Sequence, residues 1–250
     1  MKAMVLAAGL GTRLRPLTND RPKALVTVAG RTLLEITLLR LRSFGVNEVI
    51  VNVHHFADRI VDYLQSNRNF GMRIEISRED VLLDTGGGLK KAAWFFLEDG
   101  GQNAEAFLVH NVDVLSTIDL ASMIRFHTEH NALATLAVQQ RDTSRPLLFS
   151  EHDKLCGRRA GRDAEIEWAV GEQKADALAF SGIHVLSPRI FADLSEEGVF
   201  SIIPAYLRLA AQGEKILAFH ADDSYWRDLG RPENVAEAET DMAAGKFPTS

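Results

Sequence analysis

The chain has 250 residues, 46% of them hydrophobic and 25% charged, an ordinary globular composition that suits one large domain. Its net charge is −6 with no block of Lys or Arg, which excludes the electrostatic footprint of a nucleic-acid binder. No apolar run approaches the roughly 20 residues of a membrane helix, and a lone cysteine, Cys156, excludes an intrachain disulfide. With no signal-peptide pattern at the start, the expectation is a soluble, cytoplasmic protein that neither touches membranes nor binds nucleic acid.

The elements read in order. Lys2 to Ala8 is a short apolar strand, and Gly9 to Thr18 a Gly-rich loop. Thr32 with Glu35 forms a capping box ahead of Leu33, Leu34, Ile36, Leu38, Leu39 and Leu41, and Gly45 stops that helix. Glu48 to Val53 is a β-branched strand, Phe56 to Leu64 has helical spacing, and Met72 to Ile76 alternates as a strand. Gly86-Gly87-Gly88 opens a helix through Phe96, and an apolar strand from Ala106 to Val109 runs into Asn111-Val112-Asp113-Val114. A helix from about Asp119 and a strand from Ala132 to Val138 follow. Arg141 to Lys174 is more polar and reads as a short antiparallel excursion; Leu178 to Leu186 is again a strand. Ser201 to Ala211 is helical with Pro204 in its first turn, Tyr225 to Leu229 is extended, and Pro232 opens a last helix.

Strands alternating with helices predict an α/β fold: a three-layer, Rossmann-like, mostly parallel sheet with helices on both faces. No repeat or linker divides it, so one domain over residues 1–250 is expected, with halves at about 1–140 and 141–250. Ligands of such sheets bind beyond the carboxyl ends of the strands. That singles out the loops Gly9–Thr18, Asp84–Gly88 and Asn111–Ser116.

The first of these opens Leu6-Ala7-Ala8-Gly9-Leu10-Gly11-Thr12-Arg13-Leu14-Arg15-Pro16-Leu17-Thr18, followed by Pro22-Lys23-Ala24-Leu25-Val26. Triphosphate binding needs backbone N–H groups close to phosphate oxygens and fixed cations against the charge. Gly9 and Gly11 meet the first need, Arg13 and Lys23 the second. A dinucleotide loop lacks its third glycine here and meets Pro16, which disfavours a nicotinamide-dependent oxidoreductase; a P-loop lacks its Gly-Lys-Ser/Thr. The bland alternative is a Gly-rich turn with exposed basic residues.

The full run resembles the signature of the sugar-1-phosphate nucleotidylyltransferases, Leu-Ala-Ala-Gly-x-Gly-x-Arg-Leu-x-Pro-Leu-Thr and then Pro-Lys-x-Leu, with Ala24 where relatives carry proline. The resemblance implies a nucleoside triphosphate held by the loop through Leu6, Ala8, Gly9, Gly11, Thr12 and Arg13, with Arg13 and Lys23 as the catalytic cations. Asn111-Val112-Asp113 stands where the family has Gly-Asp, and Trp226-Arg227-Asp228-Leu229-Gly230-Arg231-Pro232-Glu233 resembles its Trp-x-Asp-x-Gly-x-Pro-Glu. The implied Mg²⁺ ligands are Asp113 and Asp228, oxygen donors as that hard cation prefers; taken alone, each is equally well a turn aspartate.

Asp84-Thr85-Gly86-Gly87-Gly88 resembles the family's base loop and looks most like that of the N-acetylmuramate-1-phosphate uridylyltransferases. It implies base contacts from Asp84, Thr85, Gly86 and Gly87, and a flat ligand against the backbone as the reason for the glycines. Mannose- and heptose-1-phosphate guanylyltransferases have related loops, so UTP and GTP both stay open. Phe180-Ser181-Gly182-Ile183 is similar to the family's strand beside the sugar, implying sugar contacts from Gly182 and Asn111. The family's Glu-Lys-Pro is missing; Lys174 or one of Arg158, Arg159 and Arg162 is the expected substitute for its lysine. A catalytically silent nucleotide-sugar-binding module is the alternative of another class. Elsewhere the reading is structural: Cys156 as a packed or surface thiol, His54 and His55 as loop or strand-end residues, Trp94, Phe95 and Phe96 as core or surface packing.

Overall fold

The computed structural model describes residues 1–98, 105–161 and 164–247; Arg162 lies outside the described residues. The chain runs β1 (Lys2–Leu6), β2 (Thr27–Val28), β3 (Arg31–Thr32), α1 (Leu33–Ser43), β4 (Glu48–Val53), α2 (Ala57–Ser66), β5 (Arg73–Arg78), α3 (Asp84–Lys91), α4 (Ala93–Phe96), β6 (Phe107–Asn111), β7 (Val114–Ser116), α5 (Leu120–Glu129) and β8 (Ala134–Gln139). There follow β9 (Leu147–Ser150), β10 (Leu155–Arg159), β11 (Ile166–Trp168), β12 (Ala175–Leu186), α6 (Ile190–Asp193), α7 (Ile202–Ala211), β13 (Ile216–His220), β14 (Trp226–Asp228) and α8 (Pro232–Ala243).

The main sheet is a mixed one in which the central strands are mostly parallel. β5, β4, β1 and β6 pair parallel, β12 lies antiparallel between β6 and β8, and β13 pairs parallel with β8. The polar stretch after β8 forms the antiparallel β9, β10 and β11 at the far end of β12, as its composition suggested. β12 takes part in both pairings, and its register with β8 shifts between Phe180 and His184. The antiparallel pair β7–β14 sits apart from this sheet.

Both faces are covered, which is why β1 and β4 read as continuous apolar runs. Val5 shares one buried apolar cluster with Leu34, Leu38 and Leu41 of α1 and Ala238 of α8. On the other face Met4 belongs to a second cluster with Leu89, Phe95 and Tyr206 of α3, α4 and α7. Each such burial contributes about 1.5–3 kcal/mol, the main term holding the layers together. Helix α1 starts as its capping box predicts, the Glu35 amide donating to Thr32 Oγ1 at 3.1 Å. Asp119 caps α5 in the same way. Cys156 is buried, its thiol donates to Leu148 O and burial pushes its pKa up, so it is a packed thiol. Phe96 stacks on Phe107, and the only part of the Trp94–Phe96 trio left exposed is Trp94.

Two expectations change. The glycines do not precede their helix: α3 starts at Asp84 and contains all three, then breaks at Ala92 before α4. Their need is set by packing within the protein. A Cβ on Gly86 would lie 2.3 Å from the Phe200 ring, one on Gly87 2.4 Å from Gly198 O, and one on Gly88 2.8 Å from both Asn52 and Glu79.

Candidate active site

The signature loop leaves the sheet at the carboxyl end of β1, where Leu6 is in register with Asn111 of β6 and Asn52 of β4. Leu6 O accepts from Val112 N, and the Ala7 amide donates to Asn52 Oδ1 at 2.7 Å. Gly9 is exposed, and nothing lies within 4 Å of where its Cβ would be, so no neighbour in the protein requires a glycine there. Gly11 is different: its φ of +63° is left-handed, and a Cβ would crowd Thr18 and Lys23 at 3.1 and 3.2 Å. Thr18 Oγ1 donates to Gly11 O, closing the loop against the Pro22–Lys23 segment. A single 3-10 turn, Thr12–Leu14, buries Leu14 and leaves Thr12 and Arg13 exposed.

Asp113 lies in the turn between β6 and β7, with the apolar Val112 turned into the core beside Val114 and Leu115. Pairing of β14 with β7 sets Asp228 opposite Val114, and Leu229 N donates to Asp113 O at 2.8 Å. The two carboxylates thereby become neighbours. Lys23 Nζ donates to the Asp113 carboxylate across 90 residues of sequence. Gly230 N donates to Asp228 Oδ1 at 2.7 Å, and a Cβ on Gly230 would come within 3.1 Å of Arg13 Nη2. Burial, then the charge of Asp113, raise the Asp228 pKa above the usual carboxylate range, while Lys23 and Arg13 pull it down. A divalent cation between the two would relieve that repulsion, and the donors are the oxygens Mg²⁺ prefers, so the pair fits the implied metal. Among the described residues no group of three or more His, Cys, Asp or Glu gathers as a metal site, so water and phosphate oxygens would complete the shell.

Beyond this pair opens a cleft of about 620 Å³ that Asp84, Asn111, Asp113, Gly182 and Asp228 all line. Gly182, at the β12 bulge, has a φ of +73°, and a Cβ there would lie 2.8 Å from Asn111 Nδ2, so the two predicted sugar residues are in contact. Four arginines face the same space: Arg141, Arg145, Arg158 and Arg159. Arg158 is paired with Glu167 at 2.7 Å, whereas Arg145 and Arg159 have no carboxylate partner among the described residues. Lys174 lines a separate cleft beside Cys156 and Glu214, which removes it as the substitute lysine.

Arg141 escapes the sequence reading because it belongs to no motif; its one signal is its place just past the carboxyl end of β8. Its guanidinium lies 3.5 Å from the Trp226 ring centroid and donates to Phe180 O, and Trp226 Nε1 donates to Ser181 O. Burial lowers the pKa of Arg141, partly opposed by the charge of Asp228, and its Nε is buried without a hydrogen-bond partner among the described residues.

On the opposite wall Asp84 has a left-handed φ of +60° and caps the Thr85 amide at 2.6 Å. Thr85 Oγ1 accepts from Ile202 N at the start of α7, and the Gly86 and Gly87 amides donate to Phe200 O. These N–H groups are therefore spent inside the protein.

The nucleotidyl transferase family model matches residues 2–149, which include the signature loop and Asp113. The chain belongs to the nucleotidyl transferase family. This nucleotidyl transferase is 36% identical over 249 residues to the N-acetylmuramate alpha-1-phosphate uridylyltransferase of Caulobacter vibrioides, covering 96% of each chain. It is 28% identical to the mannose-1-phosphate guanylyltransferase of Mycobacterium tuberculosis over 99% of this chain and 66% of that one. The crystal structure of HddC from Yersinia pseudotuberculosis complexed with GMP-PN shares its fold, with a TM-score of 0.74 at 23% identity over 96% and 99% of the two chains. The expected enzyme class follows: the chain is a sugar-1-phosphate nucleotidylyltransferase. In this nucleotidyl transferase no helix among the described residues is long and apolar enough to cross a membrane.

Proposed function

We propose that the enzyme transfers UMP from UTP to N-acetylmuramate 1-phosphate in a Mg²⁺-dependent reaction, giving the nucleotide sugar and pyrophosphate. The observation that carries this reading is the convergence of Arg13, Lys23, Asp113 and Asp228 at one edge of the arginine-lined cleft. A phosphate oxygen of the sugar 1-phosphate attacks the α-phosphorus of the nucleotide; the new P–O bond forms as the bond to pyrophosphate breaks. The attacking group is already an anion, so no protein base or nucleophile is needed, and the buried Cys156 takes no part.

Arg13 and Lys23 hold and neutralise the phosphates as charge shifts to the leaving group. Mg²⁺ held by Asp113 and Asp228 would supply Lewis-acid charge on the phosphate oxygens. The loop from Leu6 through Ala8, Gly9, Gly11 and Thr12 receives the triphosphate, and the open space over Gly9 supports that role. Asp84 and Thr85 flank the base; Gly86 and Gly87, buried against Phe200 and Gly198 with their amides taken, back that wall rather than touch the base. Asn111 and Gly182 meet the sugar, and Arg159 substitutes for the missing lysine at its phosphate.

The choice of sugar rests on the similarity to the Caulobacter enzyme and on charge. Arg159, with no carboxylate partner among the described residues, suffices for the 1-phosphate, and a neutral hexose would offer no anion to Arg145, likewise unpaired among them; N-acetylmuramate brings a carboxylate as well. The similarity to a mannose-1-phosphate guanylyltransferase supports GTP with mannose 1-phosphate as the second reading. The test is Mg²⁺-dependent pyrophosphate release with UTP, GTP, ATP and CTP crossed with N-acetylmuramate, N-acetylglucosamine, glucose, mannose and heptose 1-phosphates. Release with UTP and N-acetylmuramate 1-phosphate is expected. A preference for GTP and mannose 1-phosphate would replace the first reading by the second, and silence across the plate would leave a binding module.

A further inference from the structure

Two loops proposed to border the nucleotide, the signature loop and the start of α3, share no motif and stand about 70 residues apart in sequence. They are joined by two buried side chains. Asn52, 3% exposed, sits on β4 between them, and Glu79, 4% exposed, directly follows β5. The Ala7 amide donates to Asn52 Oδ1 at 2.7 Å; Asn52 Nδ2 donates to Glu79 Oε1 at 2.7 Å; the Leu83 amide donates to Glu79 Oε2 at 2.9 Å. The chain of three hydrogen bonds begins two residues before Gly9 and ends one residue before Asp84. Its backbone is fixed too, since Glu79 N donates to Val53 O and Glu79 O contacts His54 Nδ1.

The polarity of this chain allows only one arrangement. Glu79 receives a donor on each oxygen, so it serves as a carboxylate acceptor on both sides, and Asn52 must point its oxygen at Ala7 and its amide at Glu79. Helix α3 leaves room for nothing else: a Cβ on Gly88 would lie 2.8 Å from both Asn52 Nδ2 and Glu79 Oε1. The third glycine of the motif is thus required by the pair. A buried network in which each side-chain oxygen and nitrogen of the pair has a partner acts as a rigid spacer.

We infer that Asn52 and Glu79 are positioning residues that fix the separation between the triphosphate loop and the base wall, and so set the affinity for the nucleoside triphosphate. The inference rests on the proposed placement of the nucleotide. It goes beyond it by assigning that placement to two residues that touch no substrate.

Polarity gives a sharp test. Glu79→Gln points an amide at a donor, whichever way it turns, and Asn52→Asp points a carboxylate at Glu79. The double variant Asn52→Asp/Glu79→Gln rebuilds every bond: Ala7 N–H and Gln Nε2–H both donate to Asp, Leu83 N–H donates to Gln Oε1, and the charge stays at one. Calorimetry with Mg²⁺-UTP and Mg²⁺-GTP, without sugar, gives the nucleotide Kd; initial rates give the KM of the sugar 1-phosphate. Each single variant is expected to weaken nucleotide binding at least about tenfold, the cost of one buried unpaired group, with a smaller change in the sugar KM. The double variant is expected to recover the wild-type Kd within about threefold, since the restored bonds are of the same kind. Glu79→Asp, which keeps the charge and shortens the reach by one methylene, replaces any single variant that does not fold, with the same weakening expected. Folded variants that keep the wild-type Kd, or a folded double variant that does not regain it, overturn the inference. Wild-type protein that binds neither nucleotide would instead overturn the proposed function beneath it.

Discussion

Asp228 carries the tension between stability and use at the scale of one residue. Its carboxyl is held above the ordinary range by burial and by Asp113, so ionising it in the folded protein is unfavourable. Neutral asparagine removes that penalty. Asp228→Asn is therefore expected to leave the Tm at pH 7 unchanged or raised. It should lower Mg²⁺-dependent pyrophosphate release at least about a hundredfold, the scale of losing a metal ligand. Asp113→Asn should lose activity similarly, and it also removes the acceptor of Lys23. A folded Asp228→Asn enzyme that turns over normally would sink the metal assignment. Activity lost together with the fold would instead make Asp228 a structural residue.

Helix α3 shows a propensity rule losing to packing at the scale of an element. Three glycines in a helix cost roughly 1 kcal/mol each against alanine. Gly87→Ala should regain that amount, but its Cβ would lie 2.4 Å from Gly198 O, a backbone atom that cannot swing away. The clash wins, and a net loss of about 2 kcal/mol or more is expected, read by urea unfolding monitored by circular dichroism. Unchanged or improved stability would show that the loop before α7 yields freely. The same contacts explain why α3 can lie so close to the strands and to Phe200, bringing Asp84 to the edge of the cleft.

Buried histidines couple the whole molecule to pH. His127 donates or accepts at Thr135 Oγ1 and His184 at Tyr206 OH, both within the core. Burial lowers their pKa values to about 4 and about 3, far below the usual 6.5. Their folded pKa values lie below the unfolded ones, so the unfolded chain binds more protons as pH falls below about 6.5, and stability falls with it. Each histidine removes roughly 1.4 kcal/mol per pH unit in that window. His110, also buried, has its pKa lowered to about 4 in the same way, so the Tm should decline steadily from pH 6.5 to 4.5, and His184→Gln should flatten the slope by about a third of the three-histidine effect. A Tm independent of pH across that window would mean these rings are protonated inside the fold.

Local signals in the sequence determined the order of elements and most of their ends. The Thr32–Glu35 capping box, the Glu48–Val53 run and Pro232 each act through bonds or torsions within a few residues, so α1, β4 and α8 were legible directly. The signature loop and the two aspartate motifs were legible as strings because close backbone approach and phosphate charge demand particular residue types at particular spacings. Tertiary structure alone decided what those strings meet. Sheet order sets β1 beside β6, and the β7–β14 pair sets Asp228 beside Asp113, which together bring Lys23 to a carboxylate 90 residues away. The true reason for Gly86, Gly87 and Gly88 lies in Phe200, Gly198 and the Asn52–Glu79 pair, and Arg141 owes its place to Trp226. Backbone periodicity carries no information about such partners, because steric fit and hydrogen-bond satisfaction between distant segments exist only once the layers have packed.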